Sequence, residues 1–309
     1  MKGSFPTMNA LKQTFFIYIL TTLMSTTLLL ERADGNLSIK TDQTKESLSV
    51  YTNGLDIALL TQNAKEGFRP YMHPVKDAKG KGNLTQFSPG HHKHQTGLYW
   101  GMTRVNGRDY FHNPSSDHWK RKAVNVIQEK GESVKWQTIY DMLDKDGKSQ
   151  MTETQSWTMS MTKNKEIILD LEWEGLANKT ITVSKYNYGG LFLRMPWKRG
   201  VSAETINSKG DKNQSGEGKS ANWVDIGMQI ENLDQYGRIV IYDHPNNAGY
   251  PNLWRIDGQF GIGPAISRKG TWSIENGKTK KFKHRFLIYS GGHDETLINN
   301  EWKKWSNQK

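Results

Sequence analysis

With 309 residues, 35.4 kDa and no cysteine, the chain is long enough to bury a core without disulfide staples, and it offers neither a thiolate metal site nor a cysteine nucleophile. The net charge of +11 is spread along the sequence and no nucleic-acid motif accompanies it, so nucleic acid is not an expected partner, while a basic cleft would still concentrate an acidic saccharide. The 11 Trp and 12 Tyr place much of the apolar mass in rings, which favours β structure and flat surfaces on which sugars stack.

At the N-terminus, Lys2 and Lys12 precede an apolar run over 15–30 broken only by hydroxyl side chains, the pattern of a signal peptide. Ala33 and Gly35 are the small residues a signal peptidase reads, which puts cleavage before Asn36, with Met8 as an alternative start. An uncleaved anchor is the other reading, but the run is short for a full span. The expectation is a leader over 1–35, a single domain over 36–309, no membrane span once the leader is removed, and a place in the periplasm or outside the cell.

The mature part opens on a crowd of histidines: five of the nine fall within residues 69–112. If residues 92–94 are extended, His92 and His94 face the same way and grip one divalent cation, with His73 adding a third nitrogen from a neighbouring strand. The same imidazoles, beside Tyr71, Tyr99, Trp100 and Arg69, equally suit proton transfer near neutral pH or hydrogen bonding to sugar hydroxyls. Arg69 would neutralise a substrate carboxylate while a His or Tyr71 removes a carbon-bound proton, as a uronate lyase or epimerase requires. His91 reads as a solvated loop residue and His112 as support behind the site. No carboxylate pair of glycosidase type stands out.

Beyond this stretch the chain alternates short extended runs with turn signals. Asn53-Gly54, Asn106-Gly107, Asp146-Gly147 and Asn276-Gly277 each supply the positive φ a tight hairpin needs. Residues 166–174 alternate apolar and charged side chains, and 156–162 alternate likewise, so the two runs form an antiparallel hairpin about Lys163-Asn164, covered on one face only. Residues 201–220 read as an irregular loop, either a lid or disordered. A second cluster of polar and aromatic groups lies at 242–255, where His244, Asn247, Trp254 and Arg255 offer donors and a stacking face on a loop held by prolines. Only the C-terminus looks helical, with Asp294 and Glu295 at its start, Lys303 and Lys304 at its end, and Ile298, Trp302 and Trp305 on one face.

Taken in order, Arg69-Pro70-Tyr71, His92-x-His94 before Gly97-Leu98, Val105-Asn106-Gly107, Trp223-Val224-Asp225, Asp243-His244-Pro245-x-Asn247 and the closing run from Arg285 to Gly291 resemble an uncharacterised bacterial family labelled methane oxygenase PmoA. The likeness runs over about 48–305, and Gln95 stands where members often carry a further His. A true membrane monooxygenase subunit needs several apolar spans of about 20 residues, and none follows the leader here. What the resemblance implies is a secreted or periplasmic β-sandwich akin to the galactose-mutarotase-like supersandwich, in bacteria that break down polysaccharides. The fold class expected is therefore all-β, a large antiparallel sandwich with a short C-terminal helix.

The functional expectation is an exported carbohydrate-active enzyme. Its site would use His92, His94, His73, Tyr71 and His244 for chemistry and Arg69, Tyr99, Trp100, Asn247, Trp254 and Arg255 for substrate. A divalent metal is the cofactor that His92, His94 and His73 would hold. The alternatives are a non-catalytic saccharide-binding sandwich, and a structural partner of other exported proteins marked by an exposed aromatic patch.

Overall fold

Period-two alternation between turn residues builds two large antiparallel sheets, and a two-stranded one of Ile181–Val183 with Trp272–Ile274, in the computed structural model, which describes residues 36–90 and 92–308 together with Met1 and Gly3. The expected leader, apart from those two residues, and His91 lie outside the described residues. Among the described residues one sheet has nine strands, in the order Trp254–Ile256, Gly261–Pro264, Gly190–Arg194, Leu98–Gly101, Tyr71–Val75, Leu60–Asn63, Ser47–Thr52, Leu37–Thr41 and Lys130–Gly131. The other has eight, in the order Ala203–Asn207, Trp223–Gln229, Tyr236–Asp243, Thr279–Ser290, Ile167–Ala177, Ser149–Met161, Ser133–Leu143 and Trp119–Gln128. One continuous apolar core draws on both, and Trp100 of the first sheet stacks on Trp173 of the second with ring centroids 4.5 Å apart. The all-β sandwich and its C-terminal helix are as the sequence predicts.

The hairpin expected around Lys163-Asn164 joins Ser149–Met161 to Ile167–Ala177, with Leu169 opposite Met159 and Leu171 opposite Trp157. Its outer face is not wholly open. The helix Glu295–Ser306 lies over it and buries Ile168 together with Trp223, Tyr242, Leu287, Ile298 and Trp305. Asp294 caps that helix by accepting from the Leu297 amide at 2.8 Å, and each fully buried Ile or Trp contributes about 1.5–3 kcal/mol of apolar transfer. Among the described residues no helix is long and apolar enough to cross a membrane.

Residues 201–220 depart from expectation. Ala203–Asn207 forms the edge strand of the eight-stranded sheet, because Thr205 and Asn207 pair with Trp223–Gln229 despite their polar side chains. The rest of the stretch is clasped onto Trp254–Ile256: the Gly218 amide donates to the Trp254 carbonyl at 2.9 Å and Gln214 Nε2 to that of Ile256 at 3.0 Å. The segment is thus a strand and a fastened loop.

Candidate functional site

Arg69 organises the site from below. It is fully buried, and its guanidinium lies 3.6 Å from the centroid of the Tyr99 ring. One terminal nitrogen donates to the carbonyls of Tyr110 and Phe111 at 3.3 and 2.8 Å, and the other to the His94 carbonyl and to Thr96 Oγ1 at 3.1 Å. Burial pulls its pKa down to about 10, so the cation persists at neutral pH. Two surface turns, one over 92–96 and one over 109–112, are pinned to this single side chain.

Neither turn is a strand. The Ser88 amide donates to the Gln95 carbonyl and the Gln95 amide to that of His92, at 2.7 and 2.9 Å, so the chain folds back after Pro89-Gly90. The rings of His92 and His94 stand 5.9 Å apart and nearly perpendicular, not side by side as the extended reading expects. Gly97 closes the turn at φ +84, where a Cβ would come within 2.4 Å of the Met72 carbonyl oxygen. In the second turn Asp109 Oδ1 accepts from the amides of Phe111 and His112 at 2.9 and 3.0 Å, which rotates His112 toward His94, ring centroids 4.6 Å apart.

Between the turns and the strand Trp254–Ile256 lies a cavity of about 240 Å³ lined by His92, His94, Gln95, Phe111, His112, Tyr188, Phe192, Arg255 and Asp257. Phe111 and Phe192 form its apolar wall over a buried aromatic layer with Tyr71 and Tyr99. His112 Nδ1 lies 2.6 Å from Asp109 Oδ2, and its Nε2 lies 3.1 Å from the Tyr188 hydroxyl. With Nδ1–H given to the carboxylate, Nε2 accepts from the phenol, and a proton can pass between them. Burial raises the Tyr188 pKa, so its proton is held firmly. Burial and then the neighbouring His112, Arg69 and His92 lower His94 to about 4, leaving a neutral imidazole that accepts protons or hydrogen bonds. Burial would raise the Asp109 carboxyl, but the hydrogen bonds from His112 and the turn amides outweigh it, and the group stays ionised below its usual range.

The opposite rim is set by the fastened loop. Glu217 Oε1 accepts from Arg255 at 2.9 Å and from Arg268 at 2.7 Å, which holds the Arg255 guanidinium 5.6 Å over the Tyr188 ring. Asp257 Oδ1 is fixed by the amides of Gln259 and Gly261 at 2.8 and 2.9 Å.

The expected residues divide accordingly. His92, His94 and Arg255 line the cavity, while Tyr71 and Tyr99 lie in the layer beneath it. Arg69 is a buried tie, not a substrate contact, because its hydrogen bonds go to the protein's own carbonyls and to Thr96. His73 is turned to Thr85, its Nδ1 3.0 Å from Oγ1, and does not line the cavity with His92 and His94. Among the described residues no group of three or more His, Asp or Glu is placed to hold a metal, so the three-histidine centre is not assembled. His244 and Asn247 belong to the other sheet: His244 packs edge-on against Trp305, and Asn247 is spent on Asp243 and the Lys283 carbonyl. Trp100 and Trp254 are core residues, with Trp254 Nε1 donating to the Ala221 carbonyl. No tryptophan lines the cavity; the rings in its wall are Phe111, Tyr188 and Phe192, while Trp100, Trp136, Trp157 and Trp173 pack in the core. The wall residues Phe111, Gln95, Tyr188, Phe192 and Asp257 escaped the site expectation, and His112, expected as support behind the site, stands in the wall itself.

Residues 47–303 match the model described as Family of unknown function (DUF6807), and the chain belongs to that family. No curated protein matches it in sequence. Among solved structures it is similar to galactose 1-epimerase from Lactobacillus acidophilus NCFM, at 7% identity and TM-score 0.38 over 84% of this chain and 100% of that one. A polysaccharide lyase matches at 9% identity and TM-score 0.34, over 87% of this chain and 34% of the other. A TPR-domain containing protein from Parabacteroides distasonis ATCC 8503 matches at 9% identity and TM-score 0.31, over 81% and 46%. Resemblances this distant say nothing of chemistry, which has to come from the side chains.

Proposed function

We propose that this member of the family binds a sugar in the cavity between the two turns and catalyses proton transfer on it. The observation that carries the reading is the hydrogen-bonded series Asp109, His112, Tyr188 in the wall of a cavity with apolar rings on one side and Arg255 and Asp257 on the other. An ionised carboxylate that fixes the tautomer of an imidazole, which in turn meets a hydroxyl at a ligand-sized cavity, is an arrangement suited to general acid and base work. His94, neutral and 4.6 Å from His112 between ring centroids, is the acceptor for a substrate proton, and on the other side the Tyr188 hydroxyl passes a proton to substrate when His112 Nε2 carries one to replace it. The aromatic wall takes the apolar face of a sugar ring, and Arg255 over Tyr188 fixes its rim. On the reading of 1–35 as a leader, the protein meets that sugar in the periplasm or outside the cell.

The test is a time course by NMR on a panel of reducing sugars, oligosaccharides and uronates, with wild type beside His112→Asn. The wild type should turn over the sugar, and the variant should lose about 10²–10⁴-fold. Sugar binding by both proteins with no turnover in either would replace the enzyme with a non-catalytic binding module.

A further inference from the structure

The chain carries a net charge of +11, which by itself points to an acidic saccharide, yet the cavity is not basic. Its one lining arginine, Arg255, is already met by Glu217, which it shares with Arg268. The one lining carboxylate, Asp257, presents Oδ1 to two backbone amides, and Oδ2 takes no hydrogen bond from the described residues. Gln95 also lines the cavity, but it is only 3% exposed and its Oε1 is sealed beneath the surface, out of reach of a ligand. Asp257 and the neutral His94 imidazole thus offer acceptors to a ligand, against a single arginine that is compensated from behind. The buried Arg194, within electrostatic reach of Asp257, tempers that carboxylate's field without lining the cavity.

We infer that the cavity is built to hold one neutral, hydroxyl-rich sugar ring, with Asp257 and His94 accepting from its hydroxyls, and that it selects against the matching uronate. Sugar hydroxyls are donors that satisfy Asp257 Oδ2 and the His94 imidazole, whereas a ligand carboxylate brings acceptors only and a charge of the same sign as Asp257. Sites built from buried polar groups reject ligands that leave those groups unpaired, which makes the discrimination sharp. The volume of about 240 Å³ sits just under the roughly 300–1,000 Å³ usual for larger organic ligands and suits one ring. This inference rests on the reading of the cavity as a sugar site, and it reverses the acidic preference suggested by overall charge.

The test is calorimetric titration of the full chain with neutral hexoses and the uronic acids of the same configuration at pH 7. The neutral member of the preferred pair binds at least about tenfold tighter, a difference of about 1.4 kcal/mol. Asp257→Asn keeps the Oδ1 contacts and removes the charge, so it narrows the gap by strengthening uronate binding; His94→Phe weakens the neutral sugar. Circular dichroism and thermal melting show that each variant is folded. Equal or tighter uronate binding by the wild type overturns the inference and leaves the sugar site standing. Binding of neither class by folded protein overturns both.

Discussion

Arg69 reaches 42 residues along the chain to donate to the Phe111 carbonyl at 2.8 Å, and the same guanidinium also holds the His94 carbonyl. The two turns that carry His94 and His112 therefore have a common buried anchor, and the distance between their imidazoles is fixed from beneath.

Removing the anchor should loosen both turns at once. Arg69→Met leaves buried carbonyls unpaired at about 1–3 kcal/mol each, so a loss of about 2–4 kcal/mol in chemical denaturation is expected, together with loss of ligand binding. Arg69→Lys, a single donor without the fork, recovers only part of it. An unchanged midpoint for Arg69→Met would show that the turns stand without their tie.

Much of the scaffold was legible in the sequence, and for physical reasons. The pairing of Ser149–Met161 with Ile167–Ala177 follows from side-chain alternation, and the helix Glu295–Ser306 from its cap and charge placement, both of which are local. The site was legible only as far as chemistry is local. The His-rich stretch was found, but Pro89-Gly90 turns the chain so that the His92-x-His94 spacing no longer describes a strand face. Tyr188, Phe192 and Asp257 arrive from strands and turns more than 70 residues downstream of the turns they meet, and no spacing rule links them to His94. Arg69 and Trp100 read as ligand contacts in the sequence because residue type shows chemistry but not burial.

Two groups pull stability in opposite directions with pH. Burial raises the Glu153 carboxyl from 4.5 to about 7, so the folded state holds a proton the unfolded chain releases, and stability falls as pH rises from about 4.5 to 7, by up to about 3 kcal/mol. His94, lowered from 6.5 to about 4, does the reverse: unfolded chains take up a proton first, and stability falls as pH drops from about 6.5 to 4. Over the shared window the two slopes largely cancel, so urea titrations across pH 4–8 should show Glu153→Gln unmasking a rise in stability with pH and His94→Gln unmasking a fall. An unchanged pH profile in both variants would contradict both assignments.

A buried ion pair of the eight-stranded sheet that does not line the cavity supplies a control on stability alone. Arg238 donates to Asp225 at 2.8 Å with both side chains buried, and a Cβ on Gly227 would stand 2.5 Å from the Arg238 guanidinium. Asp225→Ala takes the buried carboxylate from Arg238 and His293 but leaves the arginine its Glu204 partner and the Gly291 carbonyl, and should cost about 1–3 kcal/mol, while sugar affinity measured on the folded fraction stays at the wild-type value. A parallel loss of affinity would mean that the eight-stranded sheet, not only the two turns, shapes the cavity.

The Tyr188 hydroxyl separates positioning from proton transfer. Tyr188→Phe keeps the ring under Arg255 and removes the contact at 3.1 Å to His112, so turnover should fall at least about 10²-fold with sugar affinity changed by less than about tenfold. Equal losses in both would make Tyr188 a binding residue.

The most direct test of the cavity as the sugar site is an ¹⁵N-histidine NMR titration of the wild-type protein with the preferred sugar, its imidazole signals assigned by single His→Gln variants. The signals of His94 and His112 should shift together and saturate at one affinity, with those of His73 and His244 unmoved. Saturable shifts confined to His244 or His73, with His94 and His112 silent, would contradict the account.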